Sequence, residues 1–142
     1  MITWIKNNIF LSIVVIAIGG FFLYNETAAW HVAPPQGYDL FDATTFEQAQ
    51  AQDKTIIIDT FAPWCPTCRM QKEGLHALTT DPRLAEAVFM YVDYDAQPEA
   101  LTLLKAQSQS TIIIFKGQEE VARAVGITNT EKIKNFVWQH VL

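Results

Sequence analysis

Thr55-Ile56-Ile57-Ile58-Asp59-Thr60-Phe61-Ala62-Pro63-Trp64-Cys65-Pro66-Thr67-Cys68 decides the fold of this chain. The first half is apolar and β-branched, as a central strand buried on both faces requires. Pro63 ends it. From Cys65 onward the pattern turns helical, and the spacing predicts a helix to about Leu78. The two cysteines therefore stand at a strand-to-helix junction. Cys65 falls at the helix N-cap, where unpaired backbone N–H groups and the helix dipole stabilise a thiolate. Pro66 at the first helical position gives up an N–H that had no partner. Cys68 lies one turn further, close enough to close a small disulfide ring. Cys65 is thus expected to attack a disulfide and Cys68 to resolve the mixed disulfide.

The chain holds no other cysteine, so a disulfide-stapled framework is excluded and both thiols belong to one local device. A zinc site would need two more ligands, but His31, His76 and His140 are scattered singly. Covalent haem attachment needs His after the second cysteine, and Arg69 stands there. No metal or other cofactor is expected.

Outward from the motif, strands and helices alternate. Thr44-x-x-Glu47 reads as a capping box opening a helix to about Gln52. Asp81-Pro82 restarts a short helix to about Ala87. Val88–Val92 and Thr111–Phe115 read as strands, Glu120–Val125 as a half-exposed strand, and Pro98 as the start of a helix carrying Leu101, Leu103 and Leu104. Thr128-x-x-Glu131 reads as the cap of a last helix, with Ile133, Phe136, Val137 and Val141 on one stripe. The expected class is α/β: a central mixed sheet flanked by helices on both faces, with an antiparallel edge.

Half of the 142 residues are hydrophobic, enough for one ordinary domain with a core of its own. The net charge of −5 and the absence of a basic cluster give no footprint for nucleic acid. Ile9–Tyr24 is almost wholly apolar; its sixteen residues would span about 24 Å as a helix, against a bilayer core of about 30 Å. Trp4 and Ile5 can lengthen it, and Trp4, Tyr24 and Trp30 fall where interfacial aromatics sit. Lys6 favours the inside and Glu26 the far side. The expectation is a single-pass membrane anchor over 1–25, a Pro- and Gly-bearing linker over 26–38, and a folded domain over 39–142 outside the cytoplasm. A cleaved signal peptide ending near Thr27-Ala28-Ala29 is the competing reading, and it too exports the domain.

Phe61-Ala62-Pro63-Trp64-Cys65-Pro66-Thr67-Cys68 resembles the active-site signature of the thioredoxin superfamily, and the likeness runs from about Leu40 to Leu142. Asp59, six residues before Cys65, matches the family's buried aspartate. Asp93-Tyr94-Asp95 with Pro98, Thr111–Lys116 and Gly126 resemble its third strand, its fourth strand and the glycine before its last helix. The resemblance implies a thiol-disulfide oxidoreductase. Two positions depart from thioredoxin proper. Glu73 stands where a helix-kinking proline is usual, and Ser110 takes the place of the cis-proline. Leu78-Thr79-Thr80-Asp81-Pro82 is similar to the terminal thioredoxin-like domain of DsbD-type membrane reductases. That similarity implies extracytoplasmic exchange with protein thiols and disulfides, with a DsbD-type membrane electron donor as partner.

A buried Asp59 would have a raised pKa and could take the proton of Cys68; a solvated Asp59 at a strand edge would be inert. The resemblance favours the first role and implies that Trp64, Pro66, Thr67, Ser110 and Thr111 meet the substrate. Tyr91 stands where thioredoxins often place a lysine near the aspartate. The Gln109–Ser110 bond is expected to be trans, because a cis bond before a non-proline residue costs about 2.5–4 kcal/mol. Ser110 itself is expected near the cysteines. A copper-delivery module using the same cysteines is the alternative function. A copper carrier of this fold usually brings a further His or Met downstream, and none occurs between Met90 and His140.

Overall fold

The computed structural model describes residues 12–21 and 32–142. The chain divides into two units, Met1–His31 and Val32–Leu142. In the first, residues 12–21 are helical. Among the described residues no helix is long and apolar enough to cross a membrane. Most of the expected anchor, and the first part of the expected linker, lie outside the described residues.

In the second unit the order is β1 (Asp39–Leu40), α1 (Ala43–Ala51), β2 (Thr55–Phe61), α2 (Pro66–Thr79), a 3₁₀ turn (Pro82–Leu84), β3 (Val88–Asp93), α3 (Pro98–Leu103), β4 (Thr111–Lys116), β5 (Glu119–Val125) and α4 (Thr130–Val141). The strands form one sheet in the order β1-β3-β2-β4-β5. β1, β3 and β2 run parallel, while β4 and β5 run antiparallel to their neighbours. This is the mixed sheet with an antiparallel edge that the sequence predicts.

The sheet is buried on both faces because β2 and β4 carry apolar residues at every side-chain alternation. Ile56, Ile58, Met90, Val92, Ile113 and Phe115 pack against α1 and α3. Ile57, Ile112 and Ile114 pack against Leu75 and Leu78 of α2 and Ile133 and Val137 of α4. Asp59 follows Ile57 at the strand period of two, so it projects toward the α2 side. It lies in register with Tyr91 on one neighbour and Ile112 on the other. α2 runs unbroken through Glu73, as expected where no proline interrupts the helical ladder.

Four local expectations are corrected. Asp42, not Thr44, caps α1, accepting from the Thr45 amide at 2.8 Å; Asn129, not Thr128, caps α4, accepting from the Lys132 amide at 3.0 Å. In both cases a short Asx side chain near the threonine takes the amide, a geometry that Asx residues favour at this position. The turn after Asp81-Pro82 closes at Leu84, short of Ala87. Finally, Val32–Tyr38 belongs to the folded unit, although it reads as the end of a linker: Pro35 and Tyr38 are buried, and the Val32 amide donates to the Pro63 carbonyl at 2.7 Å. Tyr38 stacks at a tilt on Phe89 with ring centroids 5.3 Å apart.

Candidate active site

β2 ends beside the N-terminus of α2, and the chain reverses between them through Ala62–Trp64. Cys65 is the N-cap of α2: its backbone is extended (φ −81°, ψ 117°) and its sulfur accepts from the Cys68 amide at 3.3 Å. Pro66 occupies the first turn. Both cysteines are free thiols and both are only 2% exposed.

The two sulfurs differ in environment. Burial pushes the Cys65 thiol up. Hydrogen bonds from the Cys68 side chain, the Ser110 hydroxyl and the Cys68 and Thr67 amides outweigh it, so the group ends below its ordinary value. Cys68 moves the other way. Burial is the largest cause, its hydrogen bond to Cys65 adds to it, and the Asp59 charge contributes in the same direction. One thiol is thereby prepared as a nucleophile and its neighbour is held protonated.

Asp59 has no solvent exposure, and neither carboxyl oxygen has a hydrogen-bond partner among the described residues. Burial alone raises it to about 7. Its charge is felt by Cys68 on one side and by Tyr38 on the other. The buried Tyr38 hydroxyl also lacks a partner among the described residues and titrates well above its usual range, first through burial and then through Asp59.

The loop before β4 closes over the cysteines. The Gln109–Ser110 bond is trans, there being no cis peptide bond among the described residues. The Ser110 hydroxyl stands 3.2 Å from Cys65 Sγ and 3.0 Å from Cys68 Sγ. Thr111 is buried just behind it, and its amide donates to Thr60 Oγ1 at 2.9 Å. Trp64 is half exposed beside Cys65, with its indole N–H donating to Asp95 Oδ2 at 2.6 Å. Pro66 is exposed and Thr67 half-buried. A groove of about 240 Å³ runs past Cys65 between Thr67 on one side and Ser108, Gln109, Val125 and Gly126 on the other.

The sequence reading thus names residues that the fold gathers around two sulfurs, with Asp59 beneath them. It missed Gln71, Thr60 and Tyr38. Gln71 is fully buried, and its side-chain amide donates to the Ser110 carbonyl at 3.2 Å. Its place one turn beyond Cys68 on an otherwise apolar stripe was the available signal. Thr60 ties the loop down by donating to the Ser108 carbonyl at 2.7 Å. Nothing in the local sequence marks Tyr38, since its burial depends on the far edge of the sheet.

A thioredoxin family model matches residues 39–139. Thioredoxin of Chlamydia trachomatis is 32% identical over 85 residues, covering 60% of this chain and 81% of that protein. Thioredoxin-1 of Saccharomyces cerevisiae is 30% identical over 95 residues, covering 67% of this chain and 89% of that one. Among solved structures, Trxlp of Edwardsiella tarda superposes with a TM-score of 0.68 at 30% identity, covering 70% of this chain and 97% of that one.

The buried Asp59 makes stability depend on pH. The folded state keeps a proton on this carboxyl up to about 7, whereas the unfolded chain releases it from about 3.8 upward. The folded state therefore binds more protons across this window and loses stability as pH rises through it. Asp59→Asn is expected to stabilise the fold above neutral pH by up to about 4 kcal/mol, with the gain vanishing below the lower end of the window. Urea midpoints of both proteins across this range check it; a difference independent of pH would show that Asp59 is not a buried titrating group.

Proposed function

The chain belongs to the thioredoxin family and is a thiol-disulfide oxidoreductase, and from that premise we propose that it reduces disulfides of exported proteins from a membrane-tethered position outside the cytoplasm. The observation that carries the chemistry is the asymmetry of the pair, with Cys65 acidified at the N-terminus of α2 and Cys68 held protonated behind it.

In the reaction, the Cys65 thiolate attacks one sulfur of a substrate disulfide. A Cys65–substrate bond forms, the substrate S–S bond breaks, and one substrate thiolate leaves. Asp59, ionised near neutrality, accepts the Cys68 proton. The Cys68 thiolate then attacks Cys65 Sγ, expelling the second substrate thiolate and leaving a Cys65–Cys68 disulfide. The substrate has gained two electrons and the protein has lost two. A partner dithiol, such as a DsbD-type membrane donor, returns them by the same exchange. The substrate chain lies in the groove beside Thr67, Gln109 and Ser110, with the exposed Trp64 and Pro66 next to it; Thr111, expected to meet the substrate, is buried behind Ser110 and supports the loop instead.

The apolar run Ile9–Tyr24, with Lys6 before it and Glu26 after it, supports the tether and its orientation. Leu78–Pro82 supports the kinship with DsbD-type domains. The structural use of Asp81 there is separate: it caps the 3₁₀ turn, pairs with Arg83 at 2.7 Å and accepts from the Trp138 indole at 2.8 Å. Copper delivery is the weaker reading, since no group of three His, Cys, Asp or Glu side chains comes together among the described residues.

Two experiments test the proposal. Cys68→Ser in the full chain is expected to accumulate mixed disulfides with exported proteins through Cys65, visible as reductant-sensitive adducts. Adducts formed only by Cys65→Ser would reverse the roles, and adducts only with cytoplasmic proteins would move the enzyme indoors. Carbonate washing of membranes is expected to leave the full-length chain in the pellet; a soluble product lacking the first residues would remove the tether.

A further inference from the structure

The feature that sets this site apart from its family pattern is a hydroxyl between the two sulfurs. Ser110 Oγ lies within hydrogen-bond distance of both. A hydroxyl carries one proton and two lone pairs, so it can donate to one sulfur while accepting from the other. The direction follows from the neighbours. Cys65 Sγ already receives the Cys68 amide, as a thiolate at a helix N-terminus would. The Cys68 thiol has its own proton to place; Ser110 Oγ and Cys65 Sγ are its near acceptors, and the Thr60 carbonyl stands 3.9 Å away. All three groups are about 2% exposed, so water does not compete for these bonds.

The serine is held there against its backbone preference. Its φ is +60°, in the left-handed region that non-glycine residues seldom adopt. Three hydrogen bonds fix it: its amide donates to the Thr60 carbonyl at 2.6 Å, and its carbonyl accepts from the Gly126 amide at 2.9 Å and from the Gln71 side chain at 3.2 Å. Proline, whose ring holds φ near about −65°, cannot occupy this backbone. The loop is therefore built for a residue other than proline, and its side chain is aimed at the reacting atoms.

We propose that Ser110 is a catalytic residue that biases the couple toward the reduced state, its hydroxyl donating to the Cys65 thiolate while accepting the Cys68 thiol proton. The inference rests on the redox reading of the Cys65–Cys68 pair. The half-reaction is disulfide plus two electrons plus one proton, giving one thiolate on Cys65 and one thiol on Cys68, with the electrons drawn from a partner dithiol. Both hydrogen bonds exist only on the reduced side. The disulfide has no S–H to offer Ser110, and its sulfur is a poorer acceptor than a thiolate. Ser110 thus makes the pair less reducing and the nucleophile more acidic than the cysteines and helix alone would.

The test uses the full chain and two variants. Ser110→Ala removes the hydroxyl; Ser110→Gly also removes it and adopts positive φ without strain, so it carries the measurement should Ser110→Ala not fold. Each protein is equilibrated with a glutathione redox couple, and the Cys65 ionisation is followed by thiolate absorbance against pH. Both variants are expected to shift the equilibrium toward the disulfide by about tenfold, roughly 30 mV more negative, and to move the Cys65 ionisation to higher pH. Folded variants that keep the wild-type equilibrium and ionisation overturn the inference while leaving the redox function standing. A wild-type chain that forms no Cys65–Cys68 disulfide overturns both.

Discussion

The first turn of α2 aims its unpaired amides at the sulfur of Cys65, and the rest of the site is organised around the negative charge held there. A helix beginning directly after a buried strand has its N-terminus fixed by the sheet, so the amides cannot turn away from the sulfur. Pro66 sharpens the start, and the Cys68 amide supplies the donor that the geometry records. Because Cys68 sits on the same first turn, the resolving sulfur is delivered with the attacking one, but only Cys65 lines the groove.

Beneath this turn the protein keeps polar groups that its own packing does not satisfy. Asp59 projects from β2 into the layer below α2 with neither oxygen paired among the described residues, and Tyr38 and Gln71 leave polar atoms unpartnered in the same apolar layer. Such burial costs stability, and a carboxyl answers by holding its proton to higher pH. The same desolvation makes Asp59 a base matched to neutral conditions. Stability and catalysis are therefore opposed at this residue, a pattern common where pKa values are tuned for proton transfer.

Much of this was legible in sequence because it rests on local pattern. The apolar β2 run, the strand-to-helix junction and the CxxC spacing each have a one-dimensional signature, and the order of elements follows from periodicity. What could not be read depends on tertiary neighbours. β1 is two residues long and is defined only by pairing with β3. The helix caps fell to Asp42 and Asn129, because competition among nearby Asx and Thr side chains is settled by backbone geometry. Gln71 and Thr60 matter only because the β4 loop folds back over them. For Ser110 the family resemblance supplied a place but not a conformation: its left-handed backbone and its double approach to the sulfurs arise from bonds to Thr60, Gly126 and Gln71, all distant in sequence.

The central claim is that the fold makes two adjacent thiols chemically unequal, and site-resolved alkylation measures this most directly. The reduced protein is treated with less than one equivalent of iodoacetamide at slightly acid pH, and the modified cysteine is located by peptide mass. The account predicts that the label lies almost wholly on Cys65, with Cys68 reacting only after denaturation. Equal labelling of the two cysteines, or preferential labelling of Cys68, would contradict it.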